Sequence, residues 1–152
     1  MPSGKKNQMT GRAGEYYVAA ELNRRGANAV TFSGNMPTID VLASDIDRNK
    51  TVKIQVKSKR IGTWHSSTDR FLQGDEEKDL FWIFVDLGNN EQRPRFWIVP
   101  WNWLLDEGKT VIKVYLDSHG GTRSKNPDSK HFGITEKSIE QWRDRWDVLD
   151  IF

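Results

Sequence analysis

The sequence predicts one mixed α/β (α+β) domain built around a single sheet, and three observations predict it. The chain has 152 residues, near the common size of one domain. Apolar residues recur at helical spacing near the start, alternate through the next segments, and form one continuous run in the middle. A lone helix ahead of a three-strand meander departs from the strict alternation of a doubly wound nucleotide binder, and neither standard Gly-rich phosphate loop occurs. No nucleotide cofactor is therefore expected.

Taken in order, residues 1–9 are polar and aperiodic and read as a flexible tail. Thr10 is placed to cap a helix over 11–25, with Ala13, Val18, Ala19, Ala20 and Leu22 as its apolar positions and Gly26 as its stop. Three strands follow at 29–32, 38–43 and 51–58, parted by the turn formers Ser33, Gly34 and Asn35 and by residues 45–49. Residues 62–77 lack a period and read as a loop. The run 80–87, dense in aromatic and β-branched residues, suits a central strand covered on both faces. The spacing then predicts a strand at 95–99, a short helix at 101–107 opened by Pro100 and ended by Gly108, a strand at 110–116, and a loop over 117–130. Thr135 with Ser138 opens a last helix to about residue 145, with Ile139, Trp142 and Trp146 on one face. The whole reads as one domain over 1–152.

Composition narrows the function. The absence of Cys excludes a thiolate metal cluster, a Cys nucleophile and a disulfide frame. Mean hydropathy is −0.71, no apolar run nears the roughly 18 residues of a membrane span, and the opening segment has no apolar signal-peptide core. The expectation is a soluble chain with no membrane partner and, by default, a cytoplasmic location. The net charge of +2 is unevenly spread: residues 1–74 carry 12 Lys/Arg against 6 Asp/Glu, and residues 75–152 carry 11 against 15. The basic half is a candidate polyanion surface; the alternative is a merely solvated face. Of seven Trp, Trp82, Trp97, Trp142 and Trp146 are assigned to the core, while Trp64 and Trp101 or Trp103 leave base stacking open. His65, His119 and His131 fall in presumed loops without spaced partners, and only His65 lies near the motif described next.

Period two places Lys53, Gln55, Lys57 and Lys59 on one face of the third strand, opposite Val52, Ile54 and Val56. Asp40 stands alone among neutral residues on the strand before, within about 5 Å of Gln55 or Lys57 if the two strands pair. Glu15 lies along the first helix's apolar stripe, because Val18, Ala19 and Leu22 follow it at three, four and seven positions. Two carboxylates about 4 Å apart repel by ~4 kcal/mol at an effective dielectric of 20, so convergence of Asp40 and Glu15 calls for a cation between them. An oxygen donor set with no Cys and no well-placed His selects a hard ion, Mg²⁺ or Mn²⁺.

Glu15 in the first helix, Asp40 ending Pro37-Thr38-Ile39-Asp40, and Gln55-Val56-Lys57 together resemble the PD-(D/E)xK nuclease superfamily, the restriction-endonuclease-like enzymes. The resemblance covers roughly residues 11–60. Two features differ: Pro37 is three residues ahead of Asp40, and Gln55 replaces the usual second acid. The resemblance implies a central mixed sheet flanked by helices and metal-dependent hydrolysis of DNA phosphodiester bonds, endonucleolytic in this reading. It implies Asp40, Gln55, the Val56 carbonyl and Glu15 as holders of Mg²⁺ or Mn²⁺, with Glu15, Asp40, Gln55 and Lys57 as the catalytic set. Lys57 would orient water and offset charge on the phosphoryl oxygens. Lys53, Lys59 and Arg60 are the expected phosphate contacts, or else solubilising edge charges, and Arg123 and Lys125 place the later loop as a DNA-ordered arm, or else a merely floppy loop. DNA is the implied partner, and a homodimer or a further partner is the implied way to cut two strands. The alternative is a nuclease-fold module, weakly active or inactive because of Gln55, that binds nucleic acid or assembles with a partner.

Overall fold

The computed structural model describes residues 3–32, 37–122 and 129–152. Helix α1 (Ser3–Arg24) precedes the meander β1 (Asn28–Thr31), β2 (Val41–Ser44) and β3 (Thr51–Lys59). Then come β4 (Trp64–Ser67), α2 (Thr68–Leu72), β5 (Leu80–Asp86), β6 (Arg95–Pro100), α3 (Trp101–Ser118), β7 (His131–Ile134) and α4 (Glu136–Ile139), followed by 3₁₀ turns at Glu140–Trp142 and Trp146–Leu149.

The main sheet runs β1-β2-β3-β5-β6. Only the β3–β5 pair is parallel, which makes the sheet mixed. All seven residues of β5 are buried, as the continuous apolar run requires. Phe81, Ile83 and Val85 join Val18 and Leu22 of α1, Ile54 and Trp146 in one core. Leu80, Trp82 and Phe84 join Phe71 of α2, Leu105 of α3, Trp64 and Trp97 in a second core on the other face. β4 and β7 pair antiparallel as a separate ribbon, with Trp64 opposite Ile134, and pack on that second face. Among the described residues no helix is long and apolar enough to cross a membrane.

Several elements differ from the sequence expectation. α1 starts at Ser3, so residues 3–9 are exposed helix rather than tail, and Thr10 lies inside it. Lys5, Lys6, Gln8 and Met9 are good helix formers, and extending a helix costs far less than nucleating one. Gly26 does stop the helix, at φ 101°. The stretch 62–77 holds β4 and α2, the latter capped by the Ser67 hydroxyl on Asp69 N–H. The short helix, its glycine stop and the following strand are one helix, α3. Trp101, Leu104, Leu105, Gly108 and Ile112 bury one of its faces, and that burial overrides the β-branched run after Lys109. The final helix is only α4, capped as expected by Thr135, before the chain tightens into 3₁₀ turns. Trp64 and Trp101 are buried and their N–H groups bond to the Val85 and Asp75 carbonyls, which removes both as base-stacking surfaces. His65 and His131 meet across the β4–β7 ribbon, with ring centroids 4.7 Å apart.

Candidate active site

The site sits where β2 begins beside β3. Val41 pairs with Ile54, and the ladder continues one residue upstream, because Asp40 N–H donates to the Ile54 carbonyl at 2.8 Å. That register sets Asp40 opposite Gln55. Asp40 Oδ2 accepts from Gln55 Nε2 at 2.8 Å and from Val56 N–H at 2.8 Å. With its amide nitrogen turned to Asp40, Gln55 keeps its carbonyl oxygen as a free-standing donor atom. Strand carbonyls alternate in direction, so the Val56 carbonyl points to the same side as that of Ile54, past the start of β2.

α1 delivers the other carboxylate. Gly14, Val18 and Leu22 are its buried positions. A side chain at Gly14 would overlap Ser58, so only glycine lets the helix lie this close to β3. Glu15, next in sequence, is thereby carried to the end of the strand pair and is half-buried. Burial first, and the Asp40 charge second, push its carboxyl up, with Arg12 pulling the other way. Burial likewise pushes Asp40 up, against the Val56 N–H and the Lys57 charge. Burial lowers the Lys57 ammonium, Asp40 opposes that shift, and Arg70 of α2 adds to it. Asp40 thus touches Gln55 directly, Glu15 and Lys57 lie near enough for their charges to act on it, and Arg12 lies beside Glu15.

The donor atoms suit a hard dication. Glu15 and Asp40 carboxylates, the Gln55 amide oxygen and the Val56 carbonyl are all oxygens, and a double positive charge would oppose the burial and the Asp40 repulsion that push the Glu15 carboxyl up. Among the described residues no three His, Cys, Asp or Glu side chains form a metal cluster, so the site has two acids and a neutral amide rather than three acids.

The expected phosphate contacts divide. Lys53 is half-buried and paired with Glu77. Lys59 is a correction: 8% exposed, its ammonium is bonded to the Gly62 carbonyl at 2.7 Å and Glu136 at 3.1 Å and lies 3.4 Å from Asp86, so it is a structural cation and cannot reach a phosphate. Strand period put it on the right face, but the partners come from β5 and α4. Arg60 is exposed, with its guanidinium on the Gly88 carbonyl at 3.0 Å. Arg123 and Lys125 lie outside the described residues. Sequence reasoning missed Arg70, because 62–77 read as loop; the signal was the Ser67 cap followed by buried Phe71.

The fold is a central mixed sheet with helices on both faces, with Gln55 and Lys57 on the meander's third strand. Two solved structures share it. A Holliday junction resolvase from the archaeal hyperthermophile Archaeoglobus fulgidus superposes with a TM-score of 0.53 at 18% identity, over 93% of this chain and 97% of that one. A bacterial homing endonuclease superposes with a TM-score of 0.52 at 14% identity, over 93% and 89%. At such identities the likeness is one of fold. No known family profile and no curated protein matches the sequence.

Proposed function

We propose that the chain is a metal-dependent DNA nuclease that hydrolyses phosphodiester bonds as an endonuclease, with Mg²⁺ or Mn²⁺ as cofactor. The carrying observation is the Asp40 carboxylate, bonded to the Gln55 amide and the Val56 N–H, with Asp40 and each of Glu15 and Lys57 close enough for their charges to act on one another. Two fold neighbours that are themselves a junction resolvase and a homing endonuclease support the same reading.

In this reading Glu15, Asp40, the Gln55 amide oxygen and the Val56 carbonyl hold the ion. A dication there would supply Lewis-acid polarisation of the phosphate and a more acidic water. Lys57 sets the direction of attack: its ammonium, drawn toward Asp40, holds the water by a hydrogen bond and balances charge on the phosphoryl oxygens. Gln55 keeps Asp40 fixed in one rotamer. Cutting both strands calls for two such sites, which a homodimer would supply.

The test is cleavage of plasmid, linear and four-way branched DNA by purified protein with Mg²⁺, Mn²⁺ or EDTA. Cleavage is expected with either metal, none with EDTA, and a loss of at least about 100-fold in Asp40→Ala and Lys57→Ala. Wild-type cleavage by either variant would overturn the assignment.

One observation favours a second reading. Gln55 is neutral where the motif usually carries an acid, leaving two carboxylates at the site, which fits a nuclease-fold module that binds nucleic acid or assembles with a partner without cutting. Its signature is DNA binding that falls steeply with salt yet ignores both Mg²⁺ and Asp40→Asn.

A further inference from the structure

The aromatic wall beside Lys57 carries a second cation. The Arg70 guanidinium of α2 lies 5.8 Å from the ring centroid of Trp82 and 5.1 Å from that of Trp101, and Lys57 Nζ lies 5.2 Å from the same Trp82 ring. The two indoles stack on each other at 5.2 Å and 18° and are both buried, so the wall is rigid. A cation–π contact spends none of a guanidinium's five N–H donors. Among the described residues neither Arg70 nor the Lys57 ammonium makes a hydrogen bond or an ion pair, and the carboxylate whose charge reaches Arg70, Glu77, is already paired with Lys53.

Two half-buried cations on one ring, with their donors unmet, need an anion with several acceptor oxygens. The distance of Arg70 from the acid pair in sequence is no obstacle, because β3 and β5 run side by side in register, Gln55 opposite Trp82. We propose that Arg70 is a phosphate-binding residue: its fork, held on Trp82 and Trp101, takes the non-bridging oxygens of a nucleic-acid backbone phosphodiester next to Lys57. Arg70 thereby positions the strand for the site. This inference rests on the nuclease-fold reading in taking the ligand to be nucleic acid, but it does not require cleavage.

The experiment measures binding in EDTA, by fluorescence anisotropy of a labelled duplex between about 50 and 300 mM salt. Arg70→Gln should weaken binding about tenfold and reduce the slope of log affinity against log salt by about 1. Lys109→Gln, which removes an exposed charge on α3, should change neither. Arg70→Lys keeps the charge and loses the two-pronged fork, so affinity should fall at least about threefold with the slope retained; should Arg70→Gln fail to fold, this variant decides. The effects should be equal on duplexes with and without 5′-phosphates. Wild-type affinity and slope in the Arg70 variants, or an effect confined to phosphorylated ends, would overturn the assignment while the nuclease reading stands. Failure of the wild type to bind any DNA would overturn both.

Discussion

Gly14 of α1 and Ser58 of β3 touch with no space for a side chain between them: a Cβ on Gly14 would overlap the Ser58 hydroxyl, stand 2.9 Å from Ser58 Cβ, and lie 3.6 Å from Val56. This contact is what seats Glu15 against the β2–β3 pair. Gly14→Ala should therefore destabilise the fold by about 1 to 3 kcal/mol despite alanine's higher helix propensity. Urea denaturation measures it. Ser58→Ala in the same chain removes the nearest atom and should recover part of the loss, and full wild-type stability of Gly14→Ala alone would refute the close approach.

The acid pair makes an opposite prediction for stability and for metal. Both Glu15 and Asp40 carboxyls are pushed up by burial, so each binds its proton more tightly in the fold than in the unfolded chain. Their ionisation opposes folding at neutral pH, and the opposition fades as pH falls through the raised values. Asp40→Asn should keep or raise the melting temperature in EDTA. Wild type should gain about 1.4 kcal/mol in Mg²⁺ or Mn²⁺ at ten times the dissociation constant, and Asp40→Asn nothing. The apparent metal affinity of the wild type should also rise with pH, since the ion competes with protons held more tightly than on ordinary carboxylates. Equal metal-induced shifts in the two proteins would remove Asp40 from the ligand set.

Away from the site, Lys59, Asp86, Arg95 and Glu136 tie the ends of β3, β5 and β6 to α4. Arg95 bonds to Asp86 at 2.5 Å and to Glu136 at 2.7 Å, and Lys59 adds its contacts from beneath. Bonding to Arg95, with a further bond from Lys59, lowers the Glu136 carboxyl from 4.5 to about 2. A depressed carboxyl stabilises the fold above its unfolded value and stops doing so as pH falls through its folded one. The urea midpoint should thus fall between about pH 5 and pH 2, and less steeply in Glu136→Gln. Lys59→Met strips Asp86 of one of two cations and should cost about 2 to 4 kcal/mol. It should leave the salt slope of DNA binding unchanged, in contrast to Arg70→Gln.

The contrast between Lys59 and Arg70 shows what was legible in the sequence. Local signals carried far: Gly26 stopping α1, the alternation of β3, the apolar run of β5 and the Thr135 cap are short-range rules acting within a few residues. The nearness of Asp40 to Gln55 followed from the pairing of adjacent strands, though the register itself did not. What stayed hidden depends on partners distant along the chain. β7 is a strand only because it pairs with β4, some 65 residues earlier, and Lys59 is occupied only because Asp86 and Glu136 come to it. In α3 the helical spacing of Leu104, Leu105, Gly108 and Ile112 was present in the sequence but masked by the local β-branched run of Thr110, Val111 and Ile112.

Gly108 sets two effects of known size against each other. In an exposed helix interior, Gly→Ala gains about 1 kcal/mol of propensity. Gly108 is buried, and its missing Cβ faces the ring of Phe71, which is itself fully buried in α2. That ring cannot move aside without breaking contacts with Trp82, Trp101 and Phe132, so a methyl there should cost about 2 to 4 kcal/mol, propensity gain included. Gly11 in α1 is the matched control, because nothing lies within 4 Å of where its Cβ would be. Gly11→Ala should raise the melting temperature by about 2 to 4 °C, and Gly108→Ala should lower it by at least that much. Since Phe71 follows Arg70, Gly108→Ala should also weaken DNA binding in EDTA while Gly11→Ala does not. Equal stabilisation by both substitutions would show that α3 does not press α2 onto the tryptophan wall.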